Sequence, residues 1–110
     1  MPVSNEYLEF VKDQLESLES LRIKKMFGAV GIYSEGVMFS LIADDVLYFR
    51  VDDVNRGEYE KAGMKPFKPW EDKPNIMPYY EIPIDILESR ETISSWAERA
   101  IEAAIRCKKK

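Results

Sequence analysis

Histidine is missing from this sequence of 110 residues, and cysteine occurs once, at Cys107. The first absence removes the usual general base near neutral pH, the commonest zinc ligand and the customary partner of a nucleophilic serine. The second excludes an internal disulfide and any thiolate metal cage built by one chain. No apolar run approaches the roughly 20 residues that span a bilayer. The opening "MPVSNEYLEF" lacks a basic stretch leading into an apolar one, so the expectation is a cytoplasmic protein without membrane contact. Basic residues number 16 against 20 acidic ones, a formal charge of -4. A surface of that sign does not attract nucleic acid as a whole, and direct nucleic-acid binding is not expected.

What is present is ordinary globular composition, 45% hydrophobic and 33% charged, in a length that fits a single domain over residues 1–110. Leu8, Val11, Leu15, Leu18 and Leu21 recur at spacings of three and four with acidic and basic residues between them. That stripe predicts an amphipathic helix over 4–21, capped by Ser4 or Asn5, with its leucines in the core. From Met26 onward the pattern changes to short runs of Val, Ile, Phe, Tyr and Leu broken by "SEG" and "DD". Three antiparallel strands follow, near 26–34, 37–43 and 46–51, turned by Glu35-Gly36 and Asp44-Asp45. "NRGEYEKAG" predicts a short helix with Asn55 as cap, Glu58 completing a capping box, Gly63 at the stop, and Tyr59 and Ala62 docked. Two short strands are expected around Pro66–Trp70 and Tyr79–Ile82, in a segment holding five of the six prolines. A final helix from about Glu91 to Cys107 carries Ile93, Trp96, Ala97, Ala100, Ile101, Ala104 and Ile105 on one stripe. The fold class is α+β, with a mainly antiparallel five-stranded sheet between N- and C-terminal helices in the order α-β-β-β-α-β-β-α.

Two-residue turns fix the register of the three central strands, and with it the face of every residue. One face then carries Gly28, Val30, Ile32, Phe39, Leu41, Ala43, Val46, Tyr48 and Arg50; the other carries Phe27, Ala29, Gly31, Tyr33, Met38, Ser40, Ile42, Leu47, Phe49 and Val51. Both are apolar, whereas a half-solvated sheet alternates apolar with polar, so something covers each. Either helices pack on both sides, or helices cover one face and a protein partner the other, and an apolar face of that size makes a homodimer a reasonable expectation. Tyr33, Phe39, Leu41, Tyr48 and Arg50 are the candidate contact residues. A niche at Ala29, Gly31 and Ser40, small residues among aromatics, supports the alternative of a small-ligand or nucleic-acid binding module.

Groupings that resemble catalytic or ligand sites have plainer explanations. "FGAVG" is followed by a strand rather than a helix, which a phosphate-binding glycine loop requires. Asp44-Asp45 and Asp52-Asp53 sit at strand ends, and adjacent strand residues point to opposite faces, which disfavors joint metal ligation. The aromatic residues of the strands have only Arg50 among them, too little positive charge for a base-stacking sheet. Arg22, Lys24 and Lys25 form one basic cluster, and Arg106 with Lys108, Lys109 and Lys110 another. A helix C-terminus accounts for the second. No catalytic residue, metal ligand or cofactor is assigned.

The stretches "MFGxxGxY" at Met26–Tyr33, "GVMF" at Gly36–Phe39, "LIADDxLYF" at Leu41–Phe49, "VDDxNR" at Val51–Arg56, "AG" at Ala62-Gly63, and "YY" ahead of Pro83, with Trp96 in the last helix, together resemble the N-terminal domain of the TfoX (Sxy) family over residues 5–105. The resemblance implies a two-layer α/β domain similar to secretion-chaperone-like folds, standing alone here. It also implies a non-enzymatic regulatory or adaptor role like that of competence and transcription co-regulators, with a protein partner such as the transcription machinery. No binding or catalytic residues come with it. Phe27, Gly28, Gly31, Gly36, Asp44, Asp45 and Gly63 are carried as fold determinants.

Overall fold

Ser4 opens the first helix, its hydroxyl accepting a hydrogen bond from the Tyr7 amide at 3.1 Å. In the computed structural model, which describes residues 3–18, 21–26, 28–67 and 78–108, this helix, α1, covers Asn5–Gln14 and ends seven residues short of the stripe that predicts it. Gln14 turns inward, donating from Nε2 to the Leu87 carbonyl at 2.8 Å and accepting from Arg90 Nε at 3.3 Å. The leucines continue past the helix because a turn and then a strand bury the same side of the chain. Leu15 is fully buried, and Leu18 and Leu21 pack half-buried on the main core.

Strand β1 is Leu21–Met26, β2 Ala29–Ser34, β3 Val37–Ala43 and β4 Val46–Arg50; helix α2 is Arg56–Lys61; β5 is Tyr79–Glu81; α3 is Ile84–Leu87 and α4 Arg90–Lys108. The five strands lie antiparallel in chain order, with helices at both ends, which gives the α+β class. Within that frame the strand expected over 26–34 is split. Met26 pairs with Ala29, and Gly28 turns the chain at φ +79°. The strand expected around Pro66–Trp70 is a single bridge from Pro66 to Tyr80; residues 68–70 lie outside the described residues. Lys65 to Phe67 flank the outer side of β5, with Phe67 N donating to Tyr79 O at 2.7 Å and Glu81 N donating to Lys65 O at 3.2 Å.

Both central turns form as two-residue loops of left-handed backbone, Glu35-Gly36 at φ +51° and +83° and Asp44-Asp45 at +52° and +56°. Asp45 also accepts from the Ser4 amide at 2.8 Å, tying the β3–β4 turn to the start of α1. The register, however, slips by one between β2 and β3. Ile32 pairs with Ser40 while Tyr33 pairs with Met38, leaving Phe39 as the extra residue of a bulge. Past that point every side chain of β3 and β4 changes face relative to strict alternation. The helix face therefore carries Val30, Ile32, Phe39, Ile42, Leu47, Phe49 and Val51. Ser40 shares the register of this face, and its buried hydroxyl donates to the Tyr48 carbonyl at 2.9 Å. The two faces read from the sequence are thus corrected from the bulge onward.

Helix α4 lies over this face. Ala97, Ala100 and Ala103 are fully buried, and their small side chains bring its backbone close to β3 and β4. Tyr59 of α2 docks edge-on against Trp96 at 4.7 Å, whereas Ala62 remains exposed, contrary to the expected docking. Gly63 terminates α2 at φ +76°.

Candidate contact surface

The register puts Gly31, Tyr33, Leu41, Tyr48, Arg50 and Tyr79 on the sheet face opposite the helices. Ala29, Leu41, Ala43, Phe67 and Tyr79 form its buried cluster, with Met38 and Tyr48 packed against it. Tyr48 meets the Phe67 ring at 4.9 Å, and the Arg50 guanidinium lies 5.6 Å from the center of the Tyr79 ring. The Tyr79 hydroxyl reaches across β4 to donate to the Met38 carbonyl at 3.1 Å. Burial raises the phenol pKa at Tyr48, with Glu81 and Asp44 adding to it. At Tyr79 burial also raises it, and Arg50 offsets part of the rise. Both hydroxyls stay neutral at physiological pH, and that of Tyr79 is the one seen donating a hydrogen bond. Arg50 Nε is buried without a hydrogen-bond partner among the described residues.

Four of the five candidate contact residues, Tyr33, Leu41, Tyr48 and Arg50, thus share one face. Tyr33, Tyr48 and Arg50 are half-buried there, while Leu41 is buried. Phe39 does not join them. It stays on the face of Val30 and Ile32, fully buried under the helices with its ring 5.9 Å from that of Phe49, while the bulge carries Leu41, Tyr48 and Arg50 to the other face. The small-residue niche is also divided, because Ser40 faces the helices while Ala29 and Gly31 face away. Of the expected fold determinants, Gly28, Gly36, Gly63, Asp44 and Asp45 all occupy positive-φ positions. Gly31 sits in β2 between Lys24 and Leu41. Phe27 lies outside the described residues.

A second polar constellation joins the end of β4 to α4. Arg106 grips Asp52 with two hydrogen bonds, Nε to Oδ2 at 2.6 Å and Nη2 to Oδ1 at 3.0 Å. Asn55 stands at the α2 N-cap position yet makes no side-chain cap there. Its amide instead bridges the chain reversal, accepting from Asp52 N at 2.7 Å and donating to Arg50 O at 3.1 Å. Glu58 likewise turns from the expected capping box to pair with Arg99 of α4. Asn55, Glu58, Arg99 and Arg106, with Val54 and Glu102, line a notch of about 210 Å³, smaller than a typical ligand pocket, and its two arginines are already paired, to Glu58 and to Asp52. It is a staple between elements, and it gives Arg106 a structural partner beyond the helix dipole.

The Arg106 hydrogen bonds hold the Asp52 carboxyl below the usual carboxylate range, against the opposing effect of burial, with help from the Val54 and Asn55 amides. A depressed folded pKa stabilizes above the unfolded value, about 3.9, and that stabilization is lost as pH falls through the folded pKa. Arg106→Gln is therefore expected to lower stability by about 1 kcal/mol at neutral pH, with the difference from wild type shrinking below about pH 4. Urea titrations of both proteins at pH 7 and pH 3 check this.

The acidic pairs do not assemble. Asp44 and Asp45 turn one end of β4, and Asp52 and Asp53 lie beyond the other. Asp52 is taken by Arg106, and Asp53 by Arg56 at 2.7 Å. Among the described residues no group of three acidic or cysteine side chains is arranged to hold a metal ion, and no helix is long and apolar enough to cross a membrane.

Residues 13–104 match the family model of the TfoX N-terminal domain. The chain belongs to that family. No curated protein sequence matches it significantly. In TfoX terms, the stretch from Met26 to Tyr33 that carries the resemblance runs from the end of β1 into β2, and "LIADDxLYF" is the β3–β4 hairpin with its left-handed aspartates.

Proposed function

We propose that this TfoX N-terminal domain is a non-enzymatic regulatory or adaptor module, set in the cytoplasm, that works by holding another protein against the sheet face opposite its helices. The observation that carries the reading is the convergence of Tyr33, Tyr48 and Arg50, half-buried around the apolar Leu41, on one face. Tyrosine and arginine over an apolar center are the side chains that concentrate binding energy at protein interfaces. Family membership points to regulators of competence and transcription as the setting, with the transcription machinery as the class of partner. A second copy bound through the same face is the homodimeric form of the same reading.

The test is a comparison of wild type with Tyr33→Glu/Arg50→Glu. Capture from native lysate is expected to enrich a partner that the double variant loses while keeping its melting temperature, and light scattering across micromolar concentrations reports whether that partner is a second copy. Equal capture by both proteins sinks the reading. A melting temperature raised by nucleotides or metabolites would favor the small-ligand alternative instead.

A further inference from the structure

The two edges of the sheet are not alike. The outer side of β5 is flanked along its whole length by Lys65, Pro66 and Phe67. Outside β1 no strand lies among the described residues. An open edge presents backbone donors and acceptors that a further strand can satisfy. β1 is also locally basic within an acidic chain. Arg22, Lys24 and Lys25 are exposed, no acidic residue interrupts the strand, and none of the three enters an ion pair among the described residues.

Lysine and arginine on an edge strand are a common guard against aggregation, and that role accounts for the charge alone. It does not account for the apolar groove beside them. On the helix face, Leu15 and Leu18 beyond the end of α1, with Leu21, Ile23 and Ile32 of the sheet, line an open groove of about 250 Å³ together with Lys12 and with Glu16, whose carboxylate is paired to Arg90. Ile23 is 37% exposed there, one of few large apolar side chains left so open. The groove runs beside the open edge, so a strand added to β1 drops alternate side chains into it.

We propose that β1 accepts an extended acidic peptide as a sixth strand. Residues opposite one another in neighboring strands share a face, which fixes the chemistry of the occupant. Apolar residues stand opposite Leu21 and Ile23 and fill the groove, while carboxylates stand opposite Arg22, Lys24 and Lys25. A second copy of β1 does not meet this pattern. Each antiparallel self-pairing that overlaps five or six residues of Leu21–Met26 sets one basic residue directly opposite another: 22 against 25, 22 against 24, or 24 against itself. Like charges directly opposite are destabilizing in a sheet, whereas opposite charges support the pair. The proposal rests on the reading of the domain as a protein-contact module, but it concerns a different surface, and the two are separable by experiment.

The probe is a blocked peptide, Glu-Glu-Ile-Glu-Val, titrated into the ¹⁵N-labeled protein at low salt, with Lys-Lys-Ile-Lys-Val as control. Amide shifts are expected at 21–26 and at Leu15 and Leu18, with slowed amide exchange along β1 and no response to the lysine peptide. Arg22→Glu/Lys24→Glu is expected to weaken binding by about tenfold or more, and added salt to weaken it in wild type. Ile23→Ser is expected to weaken it by a few fold through the groove. Unchanged melting temperatures show that both variants fold. The proposal is overturned if no shifts appear at millimolar peptide, if they map elsewhere, or if the charge-reversed variant binds equally. It is also overturned if β1 amides are already protected in a concentration-dependent way, the mark of a second copy, or if duplex DNA rather than the acidic peptide gives the β1 shifts. In an Arg50→Glu variant, whose change lies on β4 three strands from β1, the peptide still binds, so loss of one surface does not imply loss of the other.

Discussion

Phe39→Ala is expected to destabilize the domain by about 3–5 kcal/mol, the cost of removing a fully buried aromatic ring from a core that collapses only partly around the void. Phe39 has no exposed surface and packs on Phe49 within the cluster roofed by α4. A domain of this size has only about 5–15 kcal/mol in total, so the variant stands close to unfolding. Phe39→Leu, which keeps most of the volume, is expected to lose about 1–2 kcal/mol and to remain measurable by urea denaturation. Tyr33→Ala is the contrasting case, because that side chain is half-exposed on the opposite face and its loss is expected to cost about 1 kcal/mol or less. A strictly alternating β3 would leave Phe39 on the face of Val30 and Ile32 and would instead exchange the faces of Leu41 and Ile42, so a large loss on Ile42→Ala is the result that carries the bulge. Loss of under about 1 kcal/mol on Ile42→Ala would remove the bulge from this account of the sheet.

Asn55→Ala is expected to cost about 2–4 kcal/mol, since the buried amide serves two backbone groups at once and each left without a partner costs about 1–3 kcal/mol. The Asp52 amide loses its acceptor and the Arg50 carbonyl loses its donor. Asn55→Asp separates this role from helix capping. Aspartate caps helices as well as asparagine does, so a capping role leaves the variant close to wild type. The bridge requires the Nδ2 donor, and a carboxylate oxygen there opposes the Arg50 carbonyl. Asn55→Asp is therefore expected to lose stability nearly as much as Asn55→Ala, and chemical denaturation of the two side by side decides between the roles.

The class of the fold was readable because its signals are local. Ser4 ahead of an apolar stripe, two left-handed turns at Glu35-Gly36 and Asp44-Asp45, and an alanine-rich terminal stripe each declare themselves within a few residues. β1 was hidden by a coincidence of spacing. Leu18 and Leu21 continue the helical interval of Leu15, although Leu21-Arg22-Ile23-Lys24 alternates as a strand does, and that alternation is the signal that would have found it. The bulge at Phe39 has no such signal, since no glycine or turn residue marks it and its cause is the register of two strands packed together. The candidate surface shows the same division. Tyr33 lies before the slip, and Leu41, Tyr48 and Arg50 lie after it on the same side, so four were grouped by composition more than by phase. Asn55 was legible as a polar residue before a helix, but its partners Arg50 and Asp52 become its neighbors only when the chain reverses after β4.

The unequal edges of the sheet also set how many molecules can gather. Head-to-tail growth of sheets needs two free edges on each copy, one to receive and one to offer. Among the described residues Lys65 to Phe67 flank the β5 side, which leaves β1 as the edge to receive a strand. The strand addition proposed for β1 then stops after one event, giving a finite complex of defined stoichiometry rather than a filament.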